Sequence, residues 1–183
     1  MDIEKLKEKL VRLIELDTEG EYEFINEPLT ENEVYDFEKK YQIKLPSDFR
    51  IFITQLFDGG VGPFQIMPLQ YWDSIHNVHY LDSLGNNLTK PFLLKDKIFQ
   101  EDFVPTESNS NSIINGTIRI CHIGCGNFIF LVVNGEEYGN MWVDDRASTN
   151  EIFPLQSANY DRMTFGQWYD KWVDERITHF ENS

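Results

Sequence analysis

The side chains able to do chemistry are few in this chain, and their spacing argues against most of the chemistry open to them. Cys121, His122 and Cys125 lie close together, and His76 and His79 stand three positions apart. Zinc takes four nitrogen or sulfur ligands converging tetrahedrally, commonly from pairs of cysteines with two residues between them. Cys121 and Cys125 have three between them, and on a strand Cys121 and His122 point to opposite faces. No metal site is expected. Cys125 sits between Gly124 and Gly126, in a turn whose backbone amides could form an anion-binding nest and lower a thiol pKa. A base would have to approach it, and neither His122, three residues back on a strand, nor His79 is placed there by the sequence. A small residue tolerated in a tight turn is the preferred reading. Asp144-Asp145-Arg146 could suggest acid–base or magnesium chemistry, but successive strand residues diverge, so a solvated strand end with a local ion pair is expected. The chain carries no P-loop, no dinucleotide glycine fingerprint and no zincin, nucleophile-elbow or EF-hand motif. Neither catalytic residues nor a cofactor is expected.

What the sequence does carry is charge. Its 183 residues hold 31 Asp and Glu against 16 Lys and Arg, a formal net charge of −15. Such a field repels nucleic acid and anionic membrane and speeds encounter with basic partners, so a protein partner is expected and direct nucleic-acid binding is not. Acidity for solubility alone would give the same number. Between Glu15 and Glu27 stand Glu15, Asp17, Glu19, Glu21, Glu23 and Glu27 with no basic residue, a solvated linker or an acidic docking surface. The opening MDIEKLKEKL is charged and helical, with no apolar signal-peptide core, and no run is long enough to span a bilayer. With two cysteines the chain is not a disulfide scaffold. It reads as cytoplasmic.

The elements that must position these groups follow from periodicity. Residues 2–17 form a helix with Ile3, Leu6, Leu10, Leu13 and Ile14 on one face. Thr30 caps the next helix, Glu33 completes a capping box, and Leu29 with Val34 makes a hydrophobic staple. Val34, Phe37, Glu38 and Tyr41 keep helical spacing, apolar at three of the four places. Pro46 opens a further helix through Phe49, Phe52, Ile53 and Leu56, and Gly59-Gly60 ends it. Phe64 to Met67 alternates as a short strand, and Leu69 to Ile75 reads as a helical turn. The stretch 76–116 is least regular and is expected to be an insertion or a long loop. From Thr117 the period becomes two. Thr117–Ile123, Phe128–Val133 and Tyr138–Val143 read as strands, the last two joined by Asn134-Gly135, and Glu151–Leu155 as an edge strand because Pro154 lacks a donor. A last helix starts at Thr164 with Gln167 in a capping box and a heavy aromatic face. The expected class is α+β: amphipathic helices, a mainly antiparallel mixed sheet and a C-terminal helix packed on it, all in one domain.

Four stretches together carry a resemblance. Leu45-Pro46 followed by Asp48-Phe49 and a helix ending in Gly59-Gly60 is similar to the opening motif of the SUKH superfamily. His122-Ile123-Gly124-Cys125-Gly126-Asn127-Phe128 resembles its glycine-rich turn feeding a buried strand. Gly139-Asn140-Met141-Trp142 with Asp144-Asp145 resembles its next strand, and the helix at Phe165 and Trp168 fits its close. Cys125 stands where a small or acidic residue is usual, and Val132-Val133 lacks an acidic residue often found there. The resemblance implies a non-catalytic immunity-type protein that binds a polymorphic toxin, a basic nuclease-type domain given the charge. The alternative is a regulatory scaffold like the fungal cell-wall regulators, and a hydrolase using Cys125 or the Asp pair ranks below both. From charge and expected loop position, the partner contacts are Asp58, Tyr71, Trp72, Asp73, Glu136, Glu137, Asp144 and Asp145.

Overall fold

A computed structural model describes residues 1–20, 22, 26–69, 87–102 and 113–182. Helix α1, Ile3–Leu16, begins where the Asp2 side chain accepts the Lys5 N–H, and it buries Leu6, Leu10 and Leu13. Ile14, expected on that stripe, lies at its edge and stays exposed. Helix α2, Glu31–Tyr41, carries the expected capping box, with Glu33 Oε2 accepting the Thr30 N–H at 2.8 Å. It stops at Gln42, which takes a left-handed φ of 54°. Pro46 is the N-cap of α3, Ser47–Gln55, whose Phe49, Phe52 and Ile53 enter the core. Gly59 then turns the chain at a φ of +87°, where a Cβ would lie 2.7 Å from the Pro68 nitrogen.

The expected strand at Phe64–Met67 does not form. Gly60 and Ile66 make an isolated antiparallel bridge, and Phe64 and Gln65 between them take φ of 58° and 64°. Turn chemistry set by Gly62-Pro63 overrides an alternation only four residues long. The expected turn at Leu69 to Ile75 lies, beyond Leu69, outside the described residues.

Five strands form one sheet in the order β1-β5-β4-β3-β2: β1 Ile98–Phe99, β2 Thr117–Gly124, β3 Asn127–Val132, β4 Met141–Asp145 and β5 Glu151–Pro154. Every pairing between these strands is antiparallel, and a parallel contact occurs only as the single bridge Phe92–Gly135 among the described residues. The alternation expected along β2 breaks at a bulge, because Arg119 pairs with Phe130 and Cys121 with Ile129, leaving Ile120 extra. Ile120 and Cys121 are therefore both buried, and the freed Ile120 carbonyl accepts the Met67 N–H at 2.7 Å. Strand β4 starts at Met141 instead of Tyr138, since residues 136–139 are turn. Strand β5 is an inner strand over Glu151 and Ile152, where β1 pairs with it, and Pro154 falls past the end of β1, where no donor is needed.

The last helix, α4 at Phe165–Glu181, has the expected Thr164–Gln167 capping box. It packs with the other helices on one face of the sheet, where Phe52, Phe165 and Tyr169 meet Leu131, Met141 and Val143 in one core. The opposite face has its own smaller core of Phe92, Ile113, Ile114, Phe130, Val132, Trp142 and Ile152. The described ends of the 76–116 stretch supply Phe92, Ile113 and Ile114, so they cover the sheet's second face.

Candidate partner-binding surface

Three of the acids expected as exposed contacts face inward. Asp58 is buried, and its Oδ1 accepts the Leu69 N–H at 2.7 Å. Its carboxylate serves the turn after α3 and is not a surface contact. Glu137 Oε2 accepts from Asn140 Nδ2 at 3.0 Å, from Trp142 Nε1 at 3.3 Å and from Arg162 Nε at 3.0 Å, with the guanidinium 5.6 Å from the Trp142 ring. Burying an indole requires a partner for its N–H, and Glu137 is that partner. Asp144 is 4% exposed and grips Arg146 with two bonds of 2.7 Å. The expected ion pair is present, but Asp144 itself is buried and not solvated. Glu136 is exposed, 2.6 Å from Lys95, and Asp145 is half-buried with Oδ2 accepting from Thr149 Oγ1 at 2.6 Å. The Glu136-Glu137 pair precedes β4 and Asp144-Asp145 ends it, so the strand separates them and they form no single patch. Tyr71, Trp72 and Asp73 lie outside the described residues.

The glycine-rich turn is architecture as well. Gly124, Cys125 and Gly126 take φ of 98°, 51° and 85°, and Gly124 pairs with Asn127 to close a two-residue hairpin. Asn127 ties this hairpin to the β4–β5 turn, accepting the Ala147 N–H at 3.1 Å and donating to Ser148 Oγ at 2.5 Å. Cys125 is exposed. His122 Nε2 accepts the Gly126 N–H at 3.3 Å, and its ring lies against Phe128, so its acceptor nitrogen is engaged by backbone. Cys121 is buried, and that burial pushes its thiol up to about 12, far from a thiolate at neutral pH. Among the described residues no group of three or more His, Cys, Asp or Glu could hold a metal ion, and His76 and His79 lie outside them.

The Leu-Pro-x-Asp-Phe stretch works the same way. Leu45 is buried, and Phe49 packs edge-on against Phe165 at 4.9 Å. Asp48 Oδ2 accepts the Gly166 N–H at 2.7 Å, setting a carboxylate at the positive end of α4. Glu38 was the charged residue on the apolar stripe of α2, and it is buried. Its Oε1 accepts the Leu45 N–H at 3.0 Å, its Oε2 accepts from Lys44 Nζ at 2.7 Å, and Arg50 lies 3.7 Å away. It fastens the elbow between α2 and α3. Its place on that stripe was the one signal of this role.

A model of the SMI1 / KNR4 family (SUKH-1) matches residues 28–161, well over half of the chain. The chain belongs to this family. The match opens at the cap of α2, takes in the elbow and the whole sheet, and ends before α4. No match is found among curated proteins. SUKH-1 membership is compatible with immunity and regulatory roles alike, its members bind protein partners, and they are generally non-catalytic.

In this SUKH-1 chain, two acidic stretches keep exposed acids among the described residues. At one end of the sheet Asp145 pairs with Glu151, which pairs with the exposed Phe99, and Asn150 Nδ2 reaches Glu101 Oε2 at 2.6 Å. Lys97 stands 2.6 Å from Glu151 and 5.4 Å from the Phe99 ring. The second holds Glu15, Asp17, Glu19 and Glu27 of the acidic run, whose Glu21 and Glu23 lie outside the described residues. That run is fastened to the core at both ends. Tyr22 packs edge-on against Trp172 at 5.6 Å and gives its N–H to Asp17 at 2.8 Å, and the Asp58 N–H reaches the Glu27 carbonyl at 3.4 Å. No helix among the described residues is long and apolar enough to cross a membrane.

Proposed function

We propose that this SUKH-1 protein is an immunity-type binding protein, acting in the cytoplasm, that neutralises a basic, nuclease-type toxin domain by direct contact. The observation that carries this reading is the net charge of −15, on a scaffold where several of the cations are paired with the chain's own acids. Lys44, Arg50, Lys97, Arg146 and Arg162 are all held in ion pairs with the chain's own acids. The field left over is negative, which attracts a domain built to hold phosphate and accelerates its encounter. Glu136 and Asp145 keep the solvent access that a contact needs, and Tyr71, Trp72 and Asp73 complete the proposed contact set.

The test is co-expression with the toxic C-terminal domain of any adjacent gene. Growth rescue together with a co-purifying complex is the expected result. Two soluble proteins that neither rescue nor associate would refute it and leave the regulatory reading, in which the partner is endogenous. Within a complex, Asp145→Lys should slow association by a few-fold at low salt and much less at high salt. An unchanged on-rate would remove the sheet end from the interface.

A further inference from the structure

The turn between Gly60 and Ile66 places an aromatic side chain where neither the backbone nor the core accounts for it. Gln65 gives its N–H to the Gly62 carbonyl at 3.2 Å, closing a four-residue turn with Pro63 second and Phe64 third. A proline followed by a positive φ is the type II pattern, and the third position then belongs to glycine or asparagine. Here it is phenylalanine at φ 58°, followed by Gln65 at 64°. Outside this turn the non-glycine residues with positive φ have local reasons: Gln42 ends a helix, Cys125 closes a hairpin, and Asn150 is of a type that tolerates it. Phe64 has none.

Its surroundings force the conformation. Gly60 and Ile66 exchange two hydrogen bonds of 2.9 Å, Met67 is bonded to Ile120 on β2, and Pro63 and Ile66 are buried. A Cβ on Gly62 would come within 2.5 Å of Ile66, so the loop cannot relax on that side either. Strain held in this way persists because the neighbouring structure over-determines it. Burial of the side chain does not offset that strain. Phe64 is 64% exposed, the highest value for a large apolar residue among those described.

We infer that Phe64 is a binding anchor that inserts into an apolar pocket on a basic protein partner. The inference rests on the immunity-type reading above and names the contact that holds its complex. Basic chemistry follows from position. The Asn26 N–H bonds to the Gly59 carbonyl and the Asp58 N–H to the Glu27 carbonyl, so the end of the cation-free acidic run lies beside this turn. An aromatic group presented rigidly beside like charges is the arrangement of an interface hot spot with an electrostatic rim.

The test uses the full chain and the toxic C-terminal domain of any adjacent gene, with Phe64→Gly and Phe64→Ala. Phe64→Gly relieves the backbone and removes the ring, so its urea midpoint should stay level or rise while its affinity falls by roughly 30-fold, carried by a faster off-rate at an unchanged on-rate. Phe64→Ala should lose affinity equally. A Phe64→Gly protein that binds with the wild-type off-rate overturns the anchor and leaves the immunity-type reading standing. A fall in its urea midpoint makes Phe64 a structural residue and also overturns it. A wild-type chain that binds no such domain removes the reading itself, and the anchor falls with it.

Discussion

Replacing Glu38 tests whether the elbow between α2 and α3 is held by a hydrogen bond or by charge. The carboxylate is 3% exposed and has two different kinds of partner. One is the buried Leu45 N–H, at 3.0 Å from Oε1. The other is cationic: Lys44, whose side chain is 72% exposed, and Arg50 at 3.7 Å. Solvent screens the exposed lysine, so its pair is worth about 0–1 kcal/mol, whereas an orphaned buried N–H costs about 1–3 kcal/mol. Glu38→Ala should therefore cost about 2–3 kcal/mol, and Glu38→Gln, which keeps an acceptor for Leu45, about 1 kcal/mol. For a chain of this length the alanine variant should melt roughly 4–12 °C lower. The assay is urea unfolding at neutral pH, with unchanged m-values certifying that only stability moved. Equal losses in the two variants would refute the reasoning, because charge would then be the operative property. A loss below about 0.5 kcal/mol in Glu38→Ala would mean the elbow needs no fastening at all.

Two further outcomes follow from geometry elsewhere. Asp48→Ala removes the acceptor of the Gly166 N–H at the start of α4, and should cost about 1–2 kcal/mol with faster amide exchange at Gly166. Unaltered Gly166 protection would show that the cap is not used. Cys121 is held as a neutral thiol in the folded chain, its value raised from 9.0 to about 12, so the unfolded chain releases that proton first as pH rises. The stability this contributes is fully present below pH 9 and is lost towards pH 12, at up to about 1.4 kcal/mol per pH unit. Cys121→Ala should flatten that alkaline slope and Cys125→Ala should not. Identical slopes in all three proteins would be inconsistent with the burial of Cys121.

The parts of the fold that were legible in the sequence are those whose cause is local. Thr30 with Glu33, and Thr164 with Gln167, satisfy helix ends within four residues, and both boxes are present. The strands at Thr117 and Phe128 declared themselves by period and composition. Two of the misread acids have the opposite property. Asp58 serves Leu69, and Glu137 serves Arg162 as well as Trp142. Charge and loop position say nothing of a partner that tertiary structure brings in, so Asp58 and Glu137 read as surface. The bulge at Ile120 has the same origin, since one extra residue in a strand leaves no mark on composition.

That division bears on how this SUKH-1 chain can work. The recognisable motif residues are occupied: Asp48 with α4, Asn127 with the β4–β5 turn, Gly59 against Pro68, Leu45 in the core. A group committed to an interior partner cannot be changed to suit a new external one without loss of stability, on the order of 1–3 kcal/mol per position. Phe64 carries no such commitment and Glu136 pairs with the exposed Lys95, and substitutions at exposed positions of that kind usually move stability by less than about 0.5 kcal/mol. The same scaffold can therefore be fitted to different partners by changing residues outside its motif. The immunity-type function proposed above needs that separation of fold from contact. The two sets should separate in experiment: exposed variants altering association or dissociation at constant urea midpoint, and motif variants lowering the midpoint first.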